Sequence, residues 1–299
     1  MQIHVAIDRH FARAGGAYYS NLNYDYAYWQ EYLDVVAEVC PVARVRDVSA
    51  VEDRWRRADG RGVCFVPVTS YSGFWQFVAR SPRVLLDCRR AVADGDAFLL
   101  RWGLVSATCW VWLRLYRKPY AFECIGHAGE GVIDNRQIQV LGLNRAVSWI
   151  AHRLCQEMAR GASCAAYVSR YAQDLYPSRE REHEWIFTSV QLSTELVTAA
   201  RPADSFRAND HHLVSVGRLE PEKGHAVLVR AVAELVRQGH QVRATLVGPG
   251  REQQPLAALA RELGIADRIA LPGQVKWGPE LWSILDDGDL FVLPSLTEG

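Results

Sequence analysis

The 299-residue sequence predicts an α/β protein of two Rossmann-like domains, the second of them incomplete. Three observations carry that expectation. Short apolar runs alternate with longer stretches of helical period along most of the chain, the pattern of a parallel sheet covered on both faces. The length suits two domains of roughly 150 residues each. The alternation lapses once, over 197–210 ("VTAARPADSFRAND"), where proline, alanine and aspartate replace any apolar period. The expected layout is therefore a first domain at 1–196, a linker at 197–210 and a second domain at 211–299.

The run "IHVA" at 3–6 reads as the first buried strand, and the N-terminus lacks the basic region and long apolar core of a signal peptide. Further strands are expected at 42–45, 63–68, 84–87, 120–125, 165–169 and 185–188, with helices near 24–38, 73–80, 97–116, 137–160 and 170–176. Segment 97–116 ("AFLLRWGLVSATCWVWLRLY") holds 12 uncharged residues between Arg101 and Arg114. That is too few for the ~20 that span a bilayer, so it reads as a helix packed inside the first domain. A sharper reading sets it at a membrane interface, with Trp102, Trp110 and Trp112 at headgroup level beside Arg114, Arg117 and Lys118. Peripheral contact with the inner face of a membrane stays open at this point. Tyr18, Tyr19, Tyr24, Tyr26, Tyr28 and Trp29 form an aromatic cluster whose plain reading is core packing. After the linker the pattern is cleaner: strand 212–217, helix 224–238, strand 242–247, helix 253–263, strand 268–271, helix 279–286 and strand 289–293. Glycines 239, 264 and 288 stand where those helices should stop.

Composition narrows the function classes. Basic and acidic residues balance at 34 each, so no global field recruits nucleic acid, and recognition of a polyanion must be local. Seven scattered cysteines without a CxxC pair suit buried, reduced thiols in a cytoplasmic protein. "GPGREQ" lacks the third glycine of a dinucleotide fingerprint. Ser169 and Ser189 have no neighbouring base, which leaves a hydrolase triad without support.

The second domain carries the chemistry. Ligands of doubly wound folds sit beyond the carboxyl ends of the strands. There the sequence places Gly217-Arg218, Gly248-Pro249-Gly250, Gly273-Gln274 and Ser295-Leu296-Thr297-Glu298. Lys223 adds a second cation at a helix start, where like charges conflict unless an anion lies between them. Two convergent cations suit a diphosphate. The competing reading pairs Arg218 and Lys223 with Glu220 and Glu222 as solvated loop charges. No Asp-x-Asp motif for a divalent metal is expected anywhere in the chain, so cationic side chains rather than a metal are expected to carry leaving-group charge.

The strings "LVSVGRLEPEKGHAVLVRAVAEL", "ATLVGPG", "LPGQV" and "DLFVLPSLTEG" together resemble the nucleotide-sugar-binding half of the family 4 (group 1) glycosyltransferases, which have the GT-B fold. The resemblance implies retaining, metal-independent transfer, without a cofactor, from a UDP- or GDP-linked sugar to a glycan, lipid or small-molecule acceptor held by the first domain. It assigns the donor diphosphate to Arg218 and Lys223 and the donor sugar to Glu298, the first carboxylate of an E-x7-E pair. Gly217, Gly248 and Gln274 line the donor side. In "FARAGGAYYS", Gly15-Gly16 falls where the family has a glycine loop, and His127 falls where many relatives place a histidine near the donor sugar. Because the string ends at Gly299, inside that pair, the expectation is a truncated chain. Two alternatives remain: a non-catalytic, truncated binding protein, or a nucleotide-sugar epimerase on the same fold. Donor sugar, base, acceptor and oligomeric state are not legible.

Overall fold

The computed structural model describes residues 1–21, 24–52, 55–126, 128, 144–188, 197, 199, 201–202, 205–206 and 210–296. The chain divides into two compact α/β units, Met1–Gln191 and Leu192–Glu298.

In the first unit, β1 (Gln2–Ala14) is the central strand. Beside it run β3 (Glu38–Asp47) and β5 (Val66–Thr69) on one flank. On the other lie β6 (Phe98–Arg101), β7 (Ala121–Cys124), β8 (Cys164–Tyr167) and β9 (Glu184–Ile186). All of these neighbours pair in parallel. A small antiparallel ribbon, β2 (Ala17–Ser20) with β4 (Arg56–Arg57), hangs on the far end of β1. Strand β1 pairs with β6 only through His4–Ala6, and its register with β3 shifts between Ala6 and His10.

Alternation along β1 sorts the two cores. Val5 and Ile7 face α1 (Tyr26–Leu33), packing with the buried Trp29, Val39 and Ala43. Ala6 faces the opposite layer, built from α2 (Gly73–Asp94), α3 (Leu104–Tyr116), α4 (Asn144–Arg160) and α5 (Arg170–Leu175).

Two expectations are corrected here. Residues 84–87 are not a strand: Val84, Cys88, Ala91 and Val92 are buried at helical spacing inside α2. The helix tolerates Pro82 because the Val78 carbonyl, deprived of its usual N–H donor, accepts the Ser81 hydroxyl at 2.8 Å. Segment 97–116 is not one helix but strand β6 followed by α3. Asp8 caps α3 from the neighbouring strand, accepting the Leu104 N–H at 3.1 Å. The tryptophans that the rival reading set at headgroup level are half-buried against the core, as the packed-helix reading expects, with Trp110 Nε1 donating to the Tyr120 hydroxyl and Trp112 Nε1 to the Leu85 carbonyl. Among the described residues no helix is long and apolar enough to cross a membrane.

The second unit is a parallel sheet in the order β12 (Ile269–Gly273), β11 (Val242–Val247), β10 (His211–Val216), β13 (Leu290–Phe291). Its helices are α6 (His225–Arg237), α7 (Gln253–Glu262) and α8 (Pro279–Asp287). Leu228, Val229 and Val232 of α6 meet Leu213, Leu246 and Leu256 in the core. Of the expected linker, Arg201 is fastened to this unit: it donates to the carbonyls of Asp286 and Gly288 and stacks on Phe206 at 4.5 Å.

Candidate functional site

The carboxyl tips of β10, β11 and β12 form one rim. The Gly217 N–H donates to the Val247 carbonyl (2.9 Å), the Gly248 N–H to the Gly273 carbonyl (2.8 Å) and the Leu219 N–H to the Pro249 carbonyl (2.8 Å). Gly248 has φ 146°, and a Cβ there would fall on the Gly217 carbonyl, so only glycine lets the tips close. A Cβ at Gly217 would instead meet nothing within 4 Å. Among the described residues, therefore, nothing fills the space beside Gly217. Gln274 is exposed at the end of β12, on the same rim.

Arg218 follows directly, its side chain 65% exposed and paired with Glu222 at 3.0 Å; Glu220 pairs with Arg251 at 2.9 Å. These pairs realise part of the bland reading of the loop. Exposed ion pairs contribute only about 0–1 kcal/mol, so the Arg218–Glu222 pair restrains this side chain weakly. Lys223 closes a short 3-10 turn, Pro221–Lys223, and Gly224 at φ 65° turns the chain into α6. A Cβ on Gly224 would strike the Pro294 carbonyl, and the Leu296 N–H donates to the Glu222 carbonyl at 2.8 Å. The chain leaving β13 is thus locked against the Gly217–Gly224 loop. Glu298 and His127 lie outside the described residues.

At the mouth of this loop sits His225, only 2% exposed, with neither ring nitrogen hydrogen-bonded among the described residues. Burial, and next the Lys223 charge, push its pKa below the usual histidine value. Sequence reasoning missed it, although a histidine at i, i+3, i+4, i+7 with Leu228, Val229 and Val232 marks a core position.

In the first unit Gly15-Gly16 does not form a strand-to-helix loop. With φ 56° and 82° it is the two-residue turn of the β1–β2 hairpin, a conformation that favours glycine and whose twist suits paired strands. The tips of β6 and β7 carry a network that the sequence reading passed over. Arg101 Nε and Nη2 grip both oxygens of Glu123 (2.8 and 2.6 Å), and Nη1 donates to the hydroxyls of Tyr24 (3.2 Å) and Tyr28 (2.8 Å). Burial works against the Arg101 charge, but the Glu123 hydrogen bonds outweigh it and raise its pKa. Burial, then Tyr32, pushes the Tyr28 hydroxyl well above the usual phenol range. The available signal was a charge inside an apolar strand, in "FLLR" and again in "AFEC".

The expectation of no Asp-x-Asp motif is corrected: two such strings occur, Asp94-Gly95-Asp96 and Asp287-Gly288-Asp289. Each lies between a helix end and the start of the next strand, at the sheet edge opposite the tips. Asp289 there accepts the His212 N–H at 2.8 Å, and Asp287 pairs with Arg243 at 2.9 Å.

Two α/β units with parallel sheets, the second with glycines and cations gathered on its strand tips, have the GT-B fold. Anabaena HepE, solved in complex with UDP, superposes with a TM-score of 0.60 at 18% identity over 99% of this chain and 75% of that one. Residues 198–299, which make up most of the second unit, match the family model for glycosyl transferases group 1. Protein CapJ of Staphylococcus aureus is 22% identical over 292 residues, 94% of this chain and 70% of CapJ. The putative colanic acid biosynthesis glycosyltransferase WcaL of Salmonella typhimurium is 36% identical over 85 residues, 28% of this chain and 21% of WcaL.

Proposed function

We propose that the chain transfers a sugar from a nucleoside diphosphate sugar to an acceptor hydroxyl, keeping the anomeric configuration of the donor and using no metal. The bond from C1 to the diphosphate breaks, the acceptor oxygen bonds to C1, and the hydroxyl proton leaves with the diphosphate or to solvent. The carrying observation is the space beside Gly217 that no described residue fills, with Arg218 at its edge and Lys223 in the same loop. Charge-assisted hydrogen bonds from two cations contribute on the order of 1.5–3 kcal/mol each. Where they strengthen as the diphosphate departs, each is worth about one to two decades in rate.

Glu298 is assigned to the donor sugar and His127 to its neighbourhood on the resemblance of their strings. Gly15 and Gly16 are assigned to the donor phosphates on the same ground. UDP is the first nucleotide to try, because HepE was solved with it; GDP is the second. The acceptor belongs to the first unit, in this reading, and the transfer takes place at the cytoplasmic side.

Titration calorimetry with UDP, GDP and their sugars tests this. Binding of one nucleoside diphosphate is expected, and Arg218→Ala should weaken it about 10- to 100-fold while leaving thermal stability unchanged, since its ion pair is exposed. Equal affinity in wild type and variant removes the phosphate role.

A further inference from the structure

Helix α2 turns an apolar stripe outward. Trp75 (54% exposed), Val78, Ala79, Pro82 and Leu86 (51%) recur at the i, i+3, i+4, i+7, i+11 spacing of one helical face. The stripe continues onto the adjoining α3, where Leu115 is 63% exposed and Tyr116 lies beside it. The two helices are tied by Arg89, whose Nε donates to the Tyr116 hydroxyl at 2.9 Å and whose guanidinium lies over Trp112.

Among the described residues of α2 and α3, the exposed charge is mostly of one sign. Arg83 and Arg90 on α2 and Arg117 just past α3 are exposed, and α3 carries no acid; Arg114 is turned away, over Trp110. Of the acids on α2, Asp87 is turned inward to the Thr69 N–H and hydroxyl (2.9 and 2.6 Å), and Asp94 ends the helix. A cleft of about 420 Å³, lined by Thr69, Ala79, Arg80, Pro82 and Arg83, opens beside the stripe. The chain as a whole is neutral, so this cationic face is a local concentration.

We propose that the outward face of α2 and the end of α3 dock on an anionic phospholipid surface, with the stripe in the acyl boundary and the Arg80–Arg83 cleft taking a lipid phosphate. An apolar face alone would suit a protein partner as well. The arginines flanking it, with their neighbouring acid turned away, favour a sheet of negative headgroups. The half-buried tryptophans of α3 have no part in this contact; the aromatic anchor is Trp75. The surface is independent of the transfer reading, because its readout needs neither donor nor acceptor.

The test is co-sedimentation of the full chain with vesicles of phosphatidylcholine alone, or of phosphatidylcholine and phosphatidylglycerol in equal parts. Binding to the anionic vesicles only is expected. Arg83→Glu/Arg90→Glu should weaken it by at least roughly thirtyfold, taking about fivefold for each lost surface charge. Trp75→Ala should weaken it further, and Arg230→Glu/Arg237→Glu on α6 should leave it unchanged. Circular dichroism melts show whether the variants remain folded. Three results overturn the proposal: no binding by folded wild type, equal binding by the Arg83/Arg90 variant, or equal loss in the α6 control. Self-association that Leu86→Glu abolishes, without vesicle binding, would assign the face to a second copy instead.

Discussion

Replacing Gly217 by alanine separates what the fold requires from what a ligand requires. The backbone at 217 is not in the left-handed region, its N–H is already satisfied by Val247, and an added methyl meets no atom within 4 Å. Folding stability should therefore change by no more than about 0.5 kcal/mol. If a diphosphate fills that space, the methyl holds it off and one charge-assisted hydrogen bond is lost, about 2 kcal/mol or roughly thirtyfold in Kd. Gly248→Ala supplies the contrast. Its positive φ and the collision with the Gly217 carbonyl should cost about 2 kcal/mol or more and lower the melting of the second unit by several degrees. Calorimetric titration with UDP and GDP, beside thermal melts of each variant, measures both. A stable Gly217→Ala protein that binds nucleotide as the wild type does would refute the assignment of that space to the donor.

Three further outcomes are expected. Arg101→Met should destabilise the first unit by about 3–5 kcal/mol by leaving the buried Glu123 carboxylate unpaired, and Arg101→Met/Glu123→Leu should recover most of that loss; denaturant unfolding of all three variants checks it. The folded pKa of His225 lies below its unfolded value near 6.5, so its contribution to stability is present above that value and lost as pH falls from there through the folded pKa. Urea unfolding at neutral and mildly acidic pH should then show a second unit weakened by acid, and His225→Leu should flatten that dependence. Thiol titration of the native protein should find Cys64 reacting first, since it is the exposed cysteine and the Cys40 thiol behind it is pushed up to about 12 by burial and by Cys64 itself; a buried thiol such as Cys88 reacting as fast would contradict the packing.

The second unit was legible nearly element by element, because its glycines fall at helix ends and strand tips and its strands are short, mostly apolar runs between them. The first unit was harder. The run Val84-Leu85-Leu86 fits a short strand as well as a helix, and what decides for the helix is the burial of Val84, Cys88 and Ala91 on one face of α2. Strand β6 was hidden because "FLLR" runs into an apolar helix across only Trp102 and Gly103. The full length of β1 was hidden by Asp8, Arg9 and His10, polar residues that a strand accommodates once β6 diverges from it. The rim glycines and Arg218 could be read from their string. The Arg101–Glu123 network could not, because its partners come from strands and a helix far apart in sequence.

The tips of the second sheet are knitted together by main-chain atoms, with glycine 248 keeping the stitch tight. The outline of that edge is therefore indifferent to which side chains hang from it. Residues at 218 and 274 could be exchanged without disturbing the frame, whereas a single methyl at 248 would unpick the frame itself.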